Sequence, residues 1–172
     1  MNIKNFWKTS PPVKFDATSP SHIAYDENGH MIPNTINVKV KRLYDDTVMP
    51  SYAKVGDAGL DLTACHMTYD GTFIEYGTGI AVEIPRGYVG LVFPRSSVSK
   101  KEDFYLKNSV GVIDSGYRGE IKLRFNKSDS CYEVGEKIGQ LIIMSYPTVQ
   151  LQEVEELSDS DRGSGGFGST GV

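Results

Sequence analysis

The order of apolar and polar residues after position 35 is typical of β-strands. Ile36, Val38 and Val40 alternate with polar residues, as they do in a strand that buries only one face. Similar short runs follow, and Gly, Pro and Asp residues that favour turns separate them. Strands are predicted at residues 36–40, 60–64, 72–76, 79–84, 88–93, 110–113, 120–125, 137–145 and 148–154. Strands that recur about every 8 to 12 residues indicate an all-β fold, either a sandwich, a jelly roll or a barrel.

The two ends of the chain depart from this alternation. Residues 1–35 contain four prolines and no sustained period, which indicates an extended or partly ordered arm. Residues 158–172 are rich in Gly and Ser and have no period, which indicates a flexible arm. We therefore expect a β-domain at residues 36–157 between two arms. One short helix is predicted over residues 96–102, where serines could cap its free N–H groups.

Composition limits the class of protein. A chain of 172 residues is expected to form one folded domain. Its hydrophobic share of 39% and charged share of 23% exclude a disordered protein, a collagen and a coiled coil. Two cysteines, Cys65 and Cys131, cannot form a disulfide framework or a tetrahedral zinc site. No apolar run approaches the ~18 residues of a membrane span, and no signal peptide is recognisable. We expect a cytoplasmic protein that does not bind membranes.

Charge is distributed unevenly along the chain. The formal net charge of -4 argues against a general nucleic-acid binder. Residues 86–127, however, contain nine Lys or Arg against four Asp or Glu. This excess of positive charge predicts a local site for an anion, and a solvated basic face is the alternative.

The C-terminal arm combines glycines with one cation and one aromatic residue. Gly163, Gly165 and Gly168 form a G-x-G-x-x-G pattern, but a dinucleotide fingerprint must follow a strand and open a helix, and this one does neither. Arg162, Phe167 and two small hydroxyl residues remain, spaced by glycines that let backbone N–H groups approach a ligand. The arm could close over an anion that carries a flat group, or it could be an unstructured tail.

Pro94-Arg95-Ser96-Ser97 directly follows a predicted strand. An Arg fork, two hydroxyls and a positive helix end would together form a phosphate site. An ordinary serine cap with a solvated arginine is an equally good interpretation of these four residues.

Asp114 ends an apolar strand and precedes a glycine turn. A carboxylate in that position is expected to be partly desolvated, which would raise its pKa and make it a usable general base. Asp near Gly is also the commonest turn signal, so a purely structural role is a strong alternative.

Asp57 and Asp61 place two carboxylates beside a predicted strand. They could hold Mg²⁺ directly or through its waters, or Asp57 could be a turn residue. The histidines His22, His30 and His66 have no spacing typical of a metal site or a catalytic triad, and we assign them no chemistry.

Taken in order, five segments resemble the five motifs of the homotrimeric dUTPases. The segments are D-A-G-L-D-L at 57–62, P-R-S-S at 94–97, N-S-V-G-V-I-D-S-G-Y-R-G at 108–119, G-E-K-I-G-Q-L at 135–141 and R-G-S-G-G-F-G-S-T-G at 162–171. The resemblance implies a jelly-roll-like β-barrel that forms a homotrimer, with three sites each assembled from three subunits. It implies hydrolysis of dUTP to dUMP and pyrophosphate, which keeps uracil out of DNA and supplies dUMP for dTMP synthesis.

The resemblance also implies roles for residues near the base and sugar. Asp114 would orient and deprotonate the water that attacks the α-phosphorus. Tyr117 would pack against the deoxyribose and exclude a 2′-hydroxyl. The uracil edge would be recognised by the following residues: the backbone of Gly111, Val112, Ile113 and Asp114, the backbone near Lys122, and Asn108.

A second set of implied roles concerns the phosphates and the arm. Ser96 and Gln140 would act in catalysis and, with Arg95 and Ser97, would hold the phosphates. Asp61 would bind the waters of a Mg²⁺ ion that the triphosphate chelates. From the arm, the substrate contacts would come from Arg162 at the γ-phosphate, Phe167 on the uracil ring, and Gly168, Ser169 and Thr170.

Two other functions are weighed beside dUTP hydrolysis. The dCTP deaminases resemble the dUTPases in fold and in the P-R-S-S segment, but they lack the glycine-rich arm that this chain has at residues 162–168. A regulatory protein that signals by nucleotide occupancy is the other alternative. Residues 1–35 exceed what the family needs and could bind a protein partner. If the source is viral, the location would be the host cytoplasm.

Overall fold

The computed structural model describes residues 35–54 and 56–166, together with the backbone of residues 24–25 and 31–32. Regular structure consists of short strands and one turn of 3-10 helix. The strands are β1 (Ala24–Tyr25), β2 (Met31–Ile32), β3 (Lys39–Arg42), β4 (Leu60–Thr63), β5 (His66–Tyr69), β6 (Phe73–Glu83), β7 (Tyr88–Pro94), β8 (Gly111–Ile113), β9 (Glu120–Asn126) and β10 (Lys137–Ser145). The 3-10 helix, Ser96–Lys100, follows β7. Of the residues described, none lies in a helix that is long and apolar enough to cross a membrane.

Two four-stranded antiparallel sheets form the body of the fold. The first has the strand order β4-β10-β7-β8. In the second, β6 is central, because it pairs with β9 along one edge and with β5 and β3, end to end, along the other. β1 and β2 pair with each other separately.

The hydrophobic core is built from apolar side chains of both sheets. In β9, Ile121, Leu123 and Phe125 are buried while the residues between them are not. Ile138 and Leu141 contribute from β10 of the other sheet. Strands with this period expose one face and bury the other, so the two sheets cover each other's apolar faces. The all-β class predicted from the alternation is confirmed.

Several strand boundaries differ from the prediction. Residues 73–83 form one strand, β6, where two were predicted, because the pairing register with β9 shifts between Gly77 and Ala81 while the strand continues. β5 was not predicted. The prediction of a strand at 148–154 is wrong, since β10 ends at Ser145 and Leu151 is 90% exposed. Alternation in sequence forms a strand only when a neighbouring strand is there to pair with it.

The predicted helix is also shorter than expected. Only Ser96–Lys100 is helical, as a 3-10 turn, and Arg95 rather than a serine is its N-cap, without a side-chain cap hydrogen bond. Ser99 Oγ instead donates to the main-chain oxygen of Ser96 at 2.7 Å. A single 3-10 turn aligns few peptide dipoles, so the positive helix end expected for a phosphate site is not provided.

We expect Gly79→Ala to destabilise the fold strongly. Gly79 has φ of +68°, and a Cβ there would collide with the side chain of Thr47. Backbone strain and overpacking together would lower the free energy of unfolding by about 3 kcal/mol. Gly71→Ala is the matched control, because φ is +93° and an added Cβ meets nothing within 4 Å. Gly71→Ala should lower the free energy of unfolding by about 1 to 2 kcal/mol. Urea denaturation at equal protein concentration measures both, and equal losses would contradict the collision with Thr47.

Candidate active site

A cavity of about 320 Å³ lies where β4, β10 and β7 run side by side. Gln140 of β10 pairs with Asp61 of β4 on one side and with Phe93 of β7 on the other. Three segments that are far apart in the sequence therefore meet at one place. The cavity is lined by Ala53, Asp57, Ala58, Gly59, Asp61, Arg95, Ser96, Gln140 and Ile142.

The Gln140 side chain is held against the main chain of both neighbouring segments. Its Nε2 donates to the main-chain oxygen of Pro94 at 3.2 Å. On its other side lies Gly59, where a Cβ would come within 2.5 Å of Gln140 Oε1. Glycine at position 59 thus allows the loop before β4 to approach the amide closely.

Asp61 is shared by two cations at the edge of the cavity. Lys137 Nζ lies 2.6 Å from Asp61 Oδ2, and Arg95 Nε lies 3.5 Å from Asp61 Oδ1. Arg95 Nη1 also donates to the main-chain oxygen of Lys137 at 3.4 Å. Two cations beside one carboxylate leave positive charge available for an anionic ligand. Sequence reasoning missed Lys137, since only the pairing of β10 with β4 brings it to Asp61.

The carboxylates near the cavity do not form a metal cage. Asp57 Oδ2 accepts the main-chain N–H of Lys54 at 2.8 Å, which favours the turn role over a ligand role. Within the described parts of the chain, no group of three or more His, Cys, Asp or Glu side chains could hold a metal ion. Asp57 and Asp61 both line the cavity, and Asp61 is the one that lies between two cations. This donor set fits a Mg²⁺ ion that arrives on phosphate oxygens and meets the protein through water.

The two serines after Arg95 differ in their surroundings. Ser96 is exposed and lines the cavity. Ser97 is half-buried, and its Oγ lies 3.3 Å from the hydroxyl of Tyr132. Tyr132 is buried among aromatic rings, and the Lys101 ammonium lies 4.7 Å from its ring centroid. Ser96 is therefore placed for a ligand, whereas the Ser97 hydroxyl anchors the 3-10 turn to the core.

Asp114 lies in a turn between the two sheets. The main-chain N–H of Tyr117 donates to the main-chain oxygen of Asp114 at 3.0 Å. The strands on either side of the turn do not pair with each other, because β8 pairs with β7 in one sheet while β9 pairs with β6 in the other. Asp114 is exposed, so the desolvation expected for a general base is not provided by its own chain. The Tyr117 hydroxyl donates to the main-chain oxygen of Glu120 at 2.9 Å.

The strand before this turn has an open edge. Gly111, Val112 and Ile113 form β8, which is the last strand of its sheet. Main-chain groups on the outer side of an edge strand are available to a ligand. Asn108 lies close by, since a Cβ on Gly111 would be 3.7 Å from Asn108 Nδ2.

The Lys122 side chain is held by an ion pair away from any ligand. Its Nζ lies 2.8 Å from Glu75 Oε1, and Arg124 Nε lies 2.6 Å from Glu75 Oε2. These two hydrogen bonds lower the pKa of Glu75, and the one from Lys122 raises the pKa of Lys122. Only the main chain near Lys122 can therefore serve the role predicted for it.

The cavity and the Asp114 turn are separated within one chain. Ile113 lies opposite Gly90 in the antiparallel pair, and Pro94 lies four positions beyond Gly90 along β7, a distance of ~13 Å at about 3.3 Å per residue. The Arg95 guanidinium points from there toward Asp61 on β4, the strand at the opposite edge from β8. The Asp114 turn and the Arg95 guanidinium of the same chain thus lie toward opposite ends of β7 and opposite edges of the sheet.

The start of the C-terminal arm is described, and the rest is not. Arg162 is exposed, and its Nε donates to the main-chain oxygen of Gly165 at 2.9 Å. The other arm residues predicted to contact a ligand lie outside the described residues. These are Phe167, Gly168, Ser169 and Thr170.

We expect Tyr132→Phe and Ser97→Ala to remove the same interaction. Each variant should lower the free energy of unfolding by about 1 kcal/mol, since a single hydrogen bond contributes that much, while the phenyl ring keeps its packing. The double variant should lose little more than either single variant. Urea denaturation of all four proteins measures this cycle, and additive losses would show that the two hydroxyls are not coupled.

Comparison with known proteins identifies close relatives in sequence. The family model of the dUTPases matches residues 45–171. A deoxyuridine 5'-triphosphate nucleotidohydrolase of Thermobifida fusca is 41% identical over 143 residues, which is 80% of this chain and 80% of the relative. The corresponding enzyme of Clostridium acetobutylicum is 42% identical over 142 residues, which is 80% of this chain and 98% of the relative.

Solved structures show the same fold. A mutant of the Staphylococcus bacteriophage 80alpha dUTPase, solved with dUpNHpp, is 31% identical and matches with a TM-score of 0.68 over 80% of this chain and 100% of that chain. A mutant dUTPase of phage phi11 of S. aureus, whose structure details the coordination of a structural Mg(II) ion, is 26% identical, with a TM-score of 0.59 over 70% of this chain and 98% of that chain. The all-β jelly-roll architecture is thus confirmed, and the chain belongs to the dUTPase family.

Proposed function

We propose that the protein is a dUTP diphosphatase, which hydrolyses dUTP to dUMP and pyrophosphate. The observation that carries the proposal is the convergence of Asp61, Arg95, Ser96 and Gln140 on one cavity in a chain of the dUTPase family. The cavity has the cations and polar groups that a triphosphate needs, and the edge strand β8 has open main-chain groups that a pyrimidine needs.

The phosphates bind at the cavity. Arg95 gives up part of its contact with Asp61 to pair with phosphate oxygens, and Lys137 remains to neutralise Asp61. Ser96 Oγ lies at the oxygen that links the α- and β-phosphates, where charge develops as the bond breaks. The Gln140 amide is already oriented by Pro94, so little entropy is lost when it binds a phosphate oxygen.

Asp114 acts as the general base. It accepts a proton from a water molecule as the water oxygen forms a bond to the α-phosphorus. The bond from the α-phosphorus to the bridging oxygen breaks, and pyrophosphate leaves with those electrons. A positioned base contributes roughly 10² to 10⁴ in rate. Asp114 becomes desolvated when the substrate covers its open turn.

The base and the sugar bind along β8 and the following turn. Main-chain groups from Gly111 to Asp114 pair with the uracil edge, with help from Asn108 and from the main chain near Lys122. Cytosine reverses the donors and acceptors on that edge, which can cost ~10⁴ to 10⁵ in discrimination when a buried group is left unpaired. The Tyr117 ring packs against the deoxyribose.

The C-terminal arm, residues 158–172, closes the site. Arg162 pairs with the γ-phosphate, and Phe167 stacks on uracil, a contact worth about 1 to 3 kcal/mol. Gly168, Ser169 and Thr170 add contacts to the phosphates. The many glycines of this segment let its main chain approach the ligand closely.

Magnesium is the proposed cofactor. When bound, Mg²⁺ neutralises phosphate charge and so favours departure of the pyrophosphate. Asp61 is the residue that would hold it, through water molecules, because it is the one carboxylate that faces the cations of the cavity.

The assembly that performs this reaction is proposed to be a homotrimer. Its support is the separation of ~13 Å along β7 between the Asp114 turn and Pro94 within one chain, which favours a site in which one subunit supplies Asp114 and another supplies Arg95. Residues 36–157 form the domain and residues 1–35 an arm for a protein partner in this scheme. The free thiols of Cys65 and Cys131 suit a cytoplasmic or host-cytoplasmic location.

Pyrophosphate release from dUTP, dTTP, dCTP and UTP tests the proposed reaction. We expect dUTP to be cleaved at least about 100-fold faster than the other three, because dCTP has a mismatched base edge, dTTP an added methyl group and UTP an added 2′-hydroxyl. EDTA should lower the rate, and added Mg²⁺ should restore it. Ammonia released from dCTP without cleavage of dUTP would identify a deaminase instead.

Mixing two inactive variants tests the shared site. Asp114→Asn and Arg95→Ala should each lose most turnover, the first by about 10² or more. Subunits mixed in equal amounts and reassembled should recover about a quarter of wild-type activity, because a site that takes each residue from a different subunit can then be intact. Each variant reassembled alone is the control. No recovery in the mixture would place both residues of a site in one chain.

A further inference from the structure

The central strand β6 contains a glycine bulge that one carboxylate satisfies. The register between β6 and β9 shifts between Gly77 and Ala81, which removes Gly79 from the regular ladder. The main-chain N–H of Gly79 donates instead to Glu120 Oε1 at 2.7 Å. Because a buried N–H group without a partner is costly, Glu120 is fixed in place by the bulge.

A histidine holds the same carboxylate from the other side. His66 Nε2 lies 2.9 Å from Glu120 Oε1 and 3.2 Å from Glu120 Oε2, and the Glu120 side chain is only 9% exposed. Both side chains lie over Gly77, where a Cβ would collide with His66 and would come within 2.5 Å of Glu120 Oε1. The ring of Tyr44 packs edge-on against His66 at 5.5 Å. The side chain of Glu120, which is part of β9, is therefore held by His66 of β5 and by the Gly79 N–H of β6.

The main chain of Glu120 also contacts the turn that contains Asp114 and Tyr117, so a fixed Glu120 restricts that turn. The main-chain oxygen of Glu120 accepts a hydrogen bond from the Tyr117 hydroxyl at 2.9 Å. The main-chain N–H of Tyr117 donates to the main-chain oxygen of Asp114 at 3.0 Å. Tyr117 is 43% exposed, so its ring has open space to rotate into if this hydroxyl contact is lost. The direction of the ring is thus set by a contact with Glu120 at the base of the turn.

We propose that Glu120, clamped by His66 and the Gly79 N–H, is the positioning residue that orients Tyr117 and thereby determines discrimination of deoxyribose from ribose. The inference rests on the proposed function, in which the Tyr117 ring packs against the deoxyribose. A ring held in one orientation leaves no room for a 2′-hydroxyl. A ring that can rotate admits it, which raises UTP cleavage more than it lowers dUTP cleavage.

The test is the ratio of kcat/KM for dUTP to kcat/KM for UTP, from initial rates of pyrophosphate release. Glu120→Ala should lower this ratio about three- to tenfold, which corresponds to the loss of one positioned hydrogen bond. Glu120→Gln should restore most of the ratio, because its amide oxygen still accepts the Gly79 N–H. His66→Ala should lower the ratio about threefold. If Glu120→Ala does not fold, the ratio measured for His66→Ala tests the proposal in its place.

Two further variants separate positioning from general stability. Thr78→Val removes the hydrogen bond from Thr78 Oγ1 to the main-chain oxygen of Ile121, which is 2.8 Å long and buried at the same bulge. It should lower Tm and leave the ratio unchanged. In a Tyr117→Phe background, which lacks the contact with Glu120, Glu120→Ala should change the ratio by less than about twofold, since the two effects act through one contact.

The outcomes of this experiment are distinct. A wild-type protein that does not cleave dUTP overturns the proposed function and this inference with it. A wild-type protein that cleaves dUTP, with an unchanged ratio in both Glu120→Ala and His66→Ala, overturns the inference alone. Equal changes in Glu120→Ala and Thr78→Val would also overturn it, because discrimination would then follow the stability of the bulge.

Discussion

The pairing of β10 between β4 and β7 is the constraint on which the cavity around Gln140 depends. It sets Gln140 between Asp61 and Phe93 and brings Lys137 to the carboxylate of Asp61. These contacts follow from hydrogen bonds of the main chain and from burial of Ile138 and Leu141. A change in the register of β10 would displace Ile138 and Leu141 from the core and Gln140 and Lys137 from Asp61, so the register that stabilises the fold also fixes the site.

The second sheet supports the other half of the site by different means. Its central strand, β6, tolerates a break in the ladder at Gly79, and the break is closed by a side chain of β9 rather than by main chain. The same residue, Glu120, stands at the base of the turn that carries Asp114 and Tyr117. The bulge at Gly79 thus holds Glu120 in place, and Glu120 in turn holds the exposed turn through the Tyr117 hydroxyl.

The two halves belong to opposite ends of β7 and do not meet in one chain. Pro94 and Arg95 follow the end of β7, whereas Asp114 follows the short strand that pairs with its beginning. A strand of this length is rigid and keeps its ends more than 10 Å apart. Association with further copies of the chain is the means by which both halves could act on one substrate, and it would also cover Asp114.

The sequence by itself determined the all-β class, the strand at residues 137–145 and the resemblance to the dUTPase family. Alternation of apolar and polar residues predicts which face of a strand is buried, and short motifs predict local turns. Both can therefore be inferred without knowledge of the rest of the molecule. The sequence did not determine that 73–83 is one strand, that β8 and β9 belong to different sheets, or that residues 148–154 form none. Nor did it assign a role to His66, Lys137 or Glu120, whose partners lie 54, 76 and 41 residues away. Only tertiary structure decided these points, because pairing between distant strands depends on register, and register is set by the whole core.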